Sequence, residues 1–170
     1  NYTTSGAGSF GHMSMELLQD MGKFDMQHVA YKGGAPAIAD TIGGQVSIMY
    51  ADLVAALPHI KSGKPVAVAV GSPERVSVVP EVKTIAEQGI DGFAAVSLGA
   101  LLGPNGMDPA VVERLNKEMK EILATPEVQT RILGAGAIAK FMPAAELQKS
   151  LSADYAKWSK VVKEKGMVAE

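Results

Sequence analysis

The chain of 170 residues contains no cysteine. Disulfides, thiolate metal sites and cysteine nucleophiles are therefore excluded. Aromatic residues make up 5% of the chain, too few to build stacking platforms for single-stranded nucleic acid. Lys and Arg number 16 against 18 Asp and Glu, so there is no basic excess to hold a phosphate backbone. No nucleic-acid partner is expected. No apolar run reaches the ~18 residues that a membrane-spanning helix needs. No basic and then apolar leader is visible, so a signal peptide is expected to be absent or already removed. The histidines His12, His28 and His59 are widely spaced and lack carboxylates at ligand spacing. Neither a metal site nor a cofactor is expected.

What is present suits a globular α/β chain. Apolar content is 47% and charged content 20%. Phe10, Met13, Leu17 and Met21 recur at helical spacing, with Gly22 as the expected C-cap. Met26–Tyr31 alternates as a strand, and a helix is expected from about Pro36 to Ile42. Val46–Tyr50 reads as another strand, with Asp52 placed to cap the helix that follows. Pro58 predicts that this helix is short or kinked. Pro65–Val70 is almost wholly apolar, which predicts a central parallel strand covered on both faces. This order is that of βαβ units with right-handed crossovers. A short helix is expected near 84–88, and an apolar strand over about 93–102. Beyond Gly103-Pro-Asn-Gly106 the pattern turns helical: 108–124, capped by Asp108, then 126–133 and 144–165, with a short strand at 138–141. The division falls near residue 95, giving 1–95 as an α/β lobe and 96–170 as a crossing strand and mainly helical segment.

The segment Thr4-Ser5-Gly6-Ala7-Gly8-Ser9 carries most of the chemistry. It reads as the end of a strand, a glycine turn and a helix entered at Ser9. Backbone N–H groups, hydroxyls and the positive end of a helix dipole converge there. No Lys or Arg precedes Lys23, so the turn is suited to a carboxylate or phosphate held by dipoles. It lacks the Gly-Lys-Ser/Thr ending of a P-loop and the third glycine of a dinucleotide fingerprint. Gly33 and Gly34 follow the next strand in the same manner, and Asp52 lies at the end of a third. In an open parallel sheet all three lie at the carboxyl ends of strands, where ligands bind. The plainer readings are turn glycines and an N-capping Asp52. His12, in the first helical turn, is placed to face a ligand. His28, inside a strand, is expected to be packed or satisfied by a backbone group. Ser9 and His12, three residues apart, raise the alternative of a small hydrolase, although no Gly-x-Ser-x-Gly elbow is present and a serine at a helix start is ordinarily an N-cap. Glu113, Glu118 and Glu121 mix with Arg114, Lys117 and Lys120 as a solvated helix face. A further alternative is an interaction module with no ligand.

Taken together these segments resemble the solute-binding receptors of tripartite tricarboxylate transporters, the Bug-type periplasmic binding proteins. The resemblance rests on Tyr2-Thr-Thr-Ser-Gly-Ala-Gly-Ser9, His28-Val-Ala-Tyr-Lys-Gly-Gly-Ala-Pro-Ala37 and Gly43-Gly-Gln-Val46. It continues through Ala56-Leu-Pro-His-Ile-Lys-Ser-Gly-Lys64, Val79-Pro-Glu-Val-Lys-Thr-Ile-Ala-Glu-Gln-Gly89, Gly103-Pro-Asn-Gly106, Val112-Glu-Arg-Leu-Asn116 and Trp158-Ser-Lys-Val-Val-Lys163. Their joint order is more specific than any one of them.

The resemblance implies a type II periplasmic-binding-protein-like α/β clamshell, with a parallel-rich sheet flanked by helices and no enzymatic activity. It implies capture of a small carboxylate in the periplasm and delivery to membrane transporter subunits. It places Thr4, Ser5, Gly6, Ala7, Gly8, Ser9, Tyr31, Gly33, Gly34 and Asp52 in the cleft of one lobe, beside which His12 is expected from its helical position. The family's glycine-rich, Asp-containing first loop has no counterpart here, which implies that an N-terminal portion lies outside these 170 residues. The C-terminal helices would then belong to the other lobe, and their apolar faces would pair with that segment, a dimer partner or a swapped copy. At Val96-Ser-Leu-Gly99 the bulky aromatics of many members are replaced by Leu98 and Gly99, so the ligand's identity stays open.

Overall fold

Tyr2, Thr3 and Thr4 are fully buried and form strand β1 (Tyr2–Thr4). Strand β2 (His28–Ala30) pairs with it in parallel, Thr3 opposite Val29. On the other side Thr3 bridges Met49, donating to Ile48 O at 2.9 Å and accepting from Tyr50 N at 3.1 Å. β1 is therefore flanked on both edges, which explains why two threonines tolerate complete burial. The Thr3 hydroxyl donates to Val29 O at 2.8 Å, and buried hydroxyls need such partners.

The computed structural model describes residues 1–167. Two compact units are present: Asn1–Ser97 with the chain from Trp158 onward, and Leu98–Lys157. The expected second segment also included 168–170, which lie outside the described residues.

In the first unit, helix α1 (Phe10–Gly22) makes the crossover from β1 to β2. Its left-handed C-terminal residue is Lys23, whose N–H donates to Gln19 O, and not Gly22 as the sequence suggested. Gly22 is the last helical residue, and a Cβ there would lie 2.6 Å from the Phe24 ring. Helix α2 (Gly34–Ile42) follows β2, and α3 (Leu53–Lys61) follows the bridge at Met49. α3 is short, with Pro58 inside it.

The expected strand over 65–70 does not form. Val66 and Val68 are 85% and 75% exposed, and only Val70 is bridged, to Thr84. The segment is extended: Ala67 and Val70 pack against the cluster of Leu57, Val76, Val79 and Val82, and Ala69 against the cluster of Ile85, Phe93 and Ala95. The side chains of Val66 and Val68 are left uncovered, so the run is not a strand buried on both faces. The expected strand over 93–102 is likewise absent as a ladder. Ala95 N donates to Gly71 O at 2.8 Å, while Leu101 and Leu102 are exposed. Phe93 anchors a second cluster with Ile85 and Ala95, against which Phe10, Leu17 and Trp158 pack. Its burial contributes about 1.5–3 kcal/mol. The short helix near 84–88 is a 3-10 turn, Ala86–Gln88.

The second unit contains α4 (Pro109–Ala124), α5 (Pro126–Gly134) and most of α6 (Ala144–Glu164). Asp108 caps α4 as expected, accepting from Ala110 N at 2.8 Å. Arg114 pairs with Glu118 along its solvated face. No strand forms over 138–141.

Candidate functional site

The Thr4–Ser9 turn is built around two glycines with positive φ, Gly6 at +148° and Gly8 at +70°. Both are conformations that L side chains rarely adopt. A Cβ on Gly6 would also lie 3.1 Å from Tyr31 O, so the turn fits closely against the following strand-end loop. Gly33 N donates to Ser5 O at 2.9 Å and ties the two loops together.

Ser9 is the N-cap of α1, accepting from His12 N at 3.2 Å. Its hydroxyl donates to Thr4 Oγ1 at 3.2 Å. Gly6 N also donates to Thr4 Oγ1, at 3.3 Å. With two bonds accepted, the Thr4 proton goes to the nearer of two acceptors, His28 Nε2 at 2.7 Å rather than Gly6 O at 3.1 Å. Gly8 N donates to His12 Nδ1 at 3.1 Å, which leaves the neutral ring's proton on Nε2. That nitrogen faces Glu16 Oε1 at 3.8 Å. Glu16 Oε1 in turn accepts from Tyr2 Oη at 2.9 Å and Gln19 Nε2 at 3.0 Å.

This network corrects two expectations. The N–H groups of Gly6, Gly8, Ser9 and Gly33 are not all presented to a ligand, because acceptors within and beside the turn take them. The Ser9–His12 hydrolase pair is not formed either. Ser9 bonds Thr4 and the His12 backbone, and His12 Nδ1 is occupied by Gly8.

Burial lowers the pKa of both imidazoles. Glu16 opposes that shift at each, and the proximity of His12 lowers His28 further. Burial, then Glu16, raises the Tyr2 phenol.

The residues expected to bind a ligand divide into two sets. Ser5, Gly34 and Asp52 line one open cleft at the ends of three successive extended segments, together with Gly11 and Tyr50. It encloses about 330 Å³ including the solvent at its mouth. Ile38, Met49, Ala51 and Ala55 supply apolar wall. Thr4, Gly6, Gly8, Ser9 and His12 form the bonded frame of the turn; neither they nor Ala7 line this cleft. Gly33 bridges the loops, and the Tyr31 side chain turns away, donating to Asp40 Oδ2 at 2.6 Å. Asp52 occupies the N-cap position of α3, yet its side chain makes no cap bond.

The sequence reading missed Gly11, Tyr50, Tyr2, Glu16 and Gln19. A Cβ on Gly11 would lie 2.8 Å from Tyr50 O, so this glycine lets α1 approach the end of the 46–50 segment. A glycine inside an amphipathic helix was the available signal. For Glu16 it was the i, i+4 spacing from His12.

Residues 1–167 match the tripartite tricarboxylate transporter family receptor, TctC. The protein BugT of Bordetella pertussis is 30% identical over 165 residues, 97% of this chain and 51% of BugT. The solved structure of R. palustris Rpa4515 with adipate superposes with a TM-score of 0.83 at 28% identity, covering 98% of this chain and 56% of that one. MatC of Rhodopseudomonas palustris, solved with bound malate, gives 0.73 at 29% identity, covering 95% and 56%. The chain thus spans about half the length of the relatives it matches. Its α/β fold is that of these binding proteins, and the chain belongs to the tripartite tricarboxylate transporter receptor family.

Proposed function

We propose that the protein captures a small carboxylate in the periplasm and delivers it to a tripartite tricarboxylate-type membrane transporter, catalysing no reaction. The observation that carries this reading is the convergence of Ser5, Gly34 and Asp52 on one cleft, with Ser5 and Gly34 donated by two glycine turns that lead into helices. Helix starts favour anions. The adipate and malate in related receptors are small carboxylates that such a cleft suits. In this reading residues 1–95 are one lobe of a clamshell. The segment from 96 carries the crossing chain and the helices of the other, and the chain from Trp158 onward returns to the first unit.

A thermal-shift screen across mono-, di- and tricarboxylates and aromatic acids, followed by titration calorimetry, tests the proposal on the protein at its natural full length. A carboxylate should bind, and Gly8→Val should abolish binding, because valine resists φ near +70°. Unchanged affinity in that variant overturns the loop assignment.

A second proposal concerns the helices. Val111, Leu115 and Ile122 of α4 and Tyr155 of α6 are exposed. Exposed apolar residues of this kind favour an interface, here a dimer or an exchange of helices between two copies. Light scattering on the full-length protein decides it, a monomer at all concentrations being the negative result.

A further inference from the structure

Asp52 and Asp108 occupy the same position, the N-cap of a helix, and behave differently. Asp108 closes its cap on Ala110 N at 2.8 Å. Asp52 leaves its cap open and instead lines the cleft with Ser5 and Gly34. Among the described residues lining that cleft, no Lys or Arg balances it. The carboxylate is exposed, and no hydrogen bond or ion pair to its side chain is found among the described residues. A bare acid in a cleft repels a second negative charge and attracts a donor.

We infer that Asp52 is a specificity residue that selects carboxylates carrying a hydroxyl or ammonium donor near the carboxylate. The inference rests on the carboxylate-receptor reading above. Ser5 and the start of α2 at Gly34 take the ligand's carboxylate. Asp52 accepts from the neighbouring hydroxyl or ammonium group. A charge-assisted bond of this type is stronger than a neutral one, and an analogue lacking the donor leaves the acid desolvated and unpaired. The chemical class is therefore a hydroxy or amino acid rather than a plain carboxylic acid.

Malate, aspartate and succinate share a four-carbon dicarboxylate frame and differ at one carbon, in hydroxyl, ammonium or hydrogen. Calorimetry on the protein at its natural full length should show malate, aspartate or both binding at least about tenfold more tightly than succinate. The arm that wins identifies the donor. Asp52→Asn should erase that preference, weakening the donor-bearing ligand while strengthening succinate as the repulsion disappears. A merely structural role for Asp52 would shift all three ligands in one direction. Equal binding of the three, a preference that survives Asp52→Asn, or binding confined to donor-free acids such as adipate overturns the inference and leaves the receptor reading standing. Failure of every carboxylate in the broad screen overturns both.

Discussion

The imidazole rings of His12 and His28 stack with their centroids 3.9 Å apart and their planes 19° from parallel. The Tyr2 ring continues the stack, 5.0 Å from His28. One histidine holds the backbone of the glycine turn through Gly8, and the other accepts a hydrogen bond from the Thr4 hydroxyl at its base. The turn is therefore propped by two rings whose acceptor nitrogens must stay unprotonated. Charging either one turns an acceptor into a donor that faces another donor, and charging both places two cations face to face.

Both rings should consequently titrate below the ordinary histidine value of about 6.5. The unfolded chain takes up protons near that value while the folded protein resists them. The stabilisation is complete above about pH 6.5 and declines as pH falls toward the depressed folded values. Proton NMR titration of the ring signals should place both midpoints below 6.5. Melting temperature should drop between pH 7 and pH 5, and the drop should shrink in a His12→Gln, His28→Gln double variant. A flat wild-type profile over that range would count against the assignment.

Thr4 is the junction of the frame: fully buried, it accepts from Gly6 N and Ser9 Oγ and bonds His28. Thr4→Val keeps the shape and removes every one of those bonds. Leaving buried polar groups unpaired costs about 1–3 kcal/mol, and urea unfolding should report a loss in that range. Thr4→Ser keeps the hydroxyl and should recover most of it. If valine proves neutral, the network contributes nothing to the fold.

Much of this arrangement was legible before the structure. Glycine turns leading into helices after Thr4 and after Ala30 follow from local chemistry, as does Asp108 capping α4, although α2 opens at Gly34 and not at the expected Pro36. The convergence of Ser5, Gly34 and Asp52 on a cleft followed from the βαβ order. What stayed hidden depends on contacts between distant residues. Apolar content over 65–70 did not reveal that Val66 and Val68 face outward, since burial on each face depends on what else packs there. Nor did the hydroxyls of the turn reveal that His28, 24 residues away, bonds the Thr4 hydroxyl. That bond moves the loop's polar groups from ligand contact to internal support.

Gly11 offers a test of the cleft's wall. A methyl group there would meet the Tyr50 carbonyl at 2.8 Å, and a backbone atom cannot swing aside as a side-chain tip does. Gly11→Ala should cost about 1–3 kcal/mol of stability, as overpacking does. It should also weaken carboxylate binding, because α1 and the end of the 46–50 segment both border the cleft. Thermal melting and calorimetry on one preparation would separate the two effects. A variant with wild-type stability and affinity would show that the close approach is not needed.

Away from the cleft, Thr84 and Glu87 cap the turn at 86–88 reciprocally. Thr84 N donates to Glu87 Oε2 at 2.7 Å, and Glu87 N donates to Thr84 Oγ1 at 3.0 Å. This is a capping box, and Arg75 clamps the same carboxylate at 2.9–3.0 Å. Arg75 first, then the Thr84 N–H, lowers the Glu87 pKa from 4.5 to about 2. The stabilisation is complete above the unfolded value of 4.5 and is lost as pH falls through about 2. Glu87→Gln should therefore lower the melting temperature at pH 7, and the gap from wild type should close as pH approaches 2. Because the pair is exposed, added salt should narrow the pH 7 gap. A gap indifferent to both pH and salt would mean that the carboxylate acts through its shape as a cap and not through its charge.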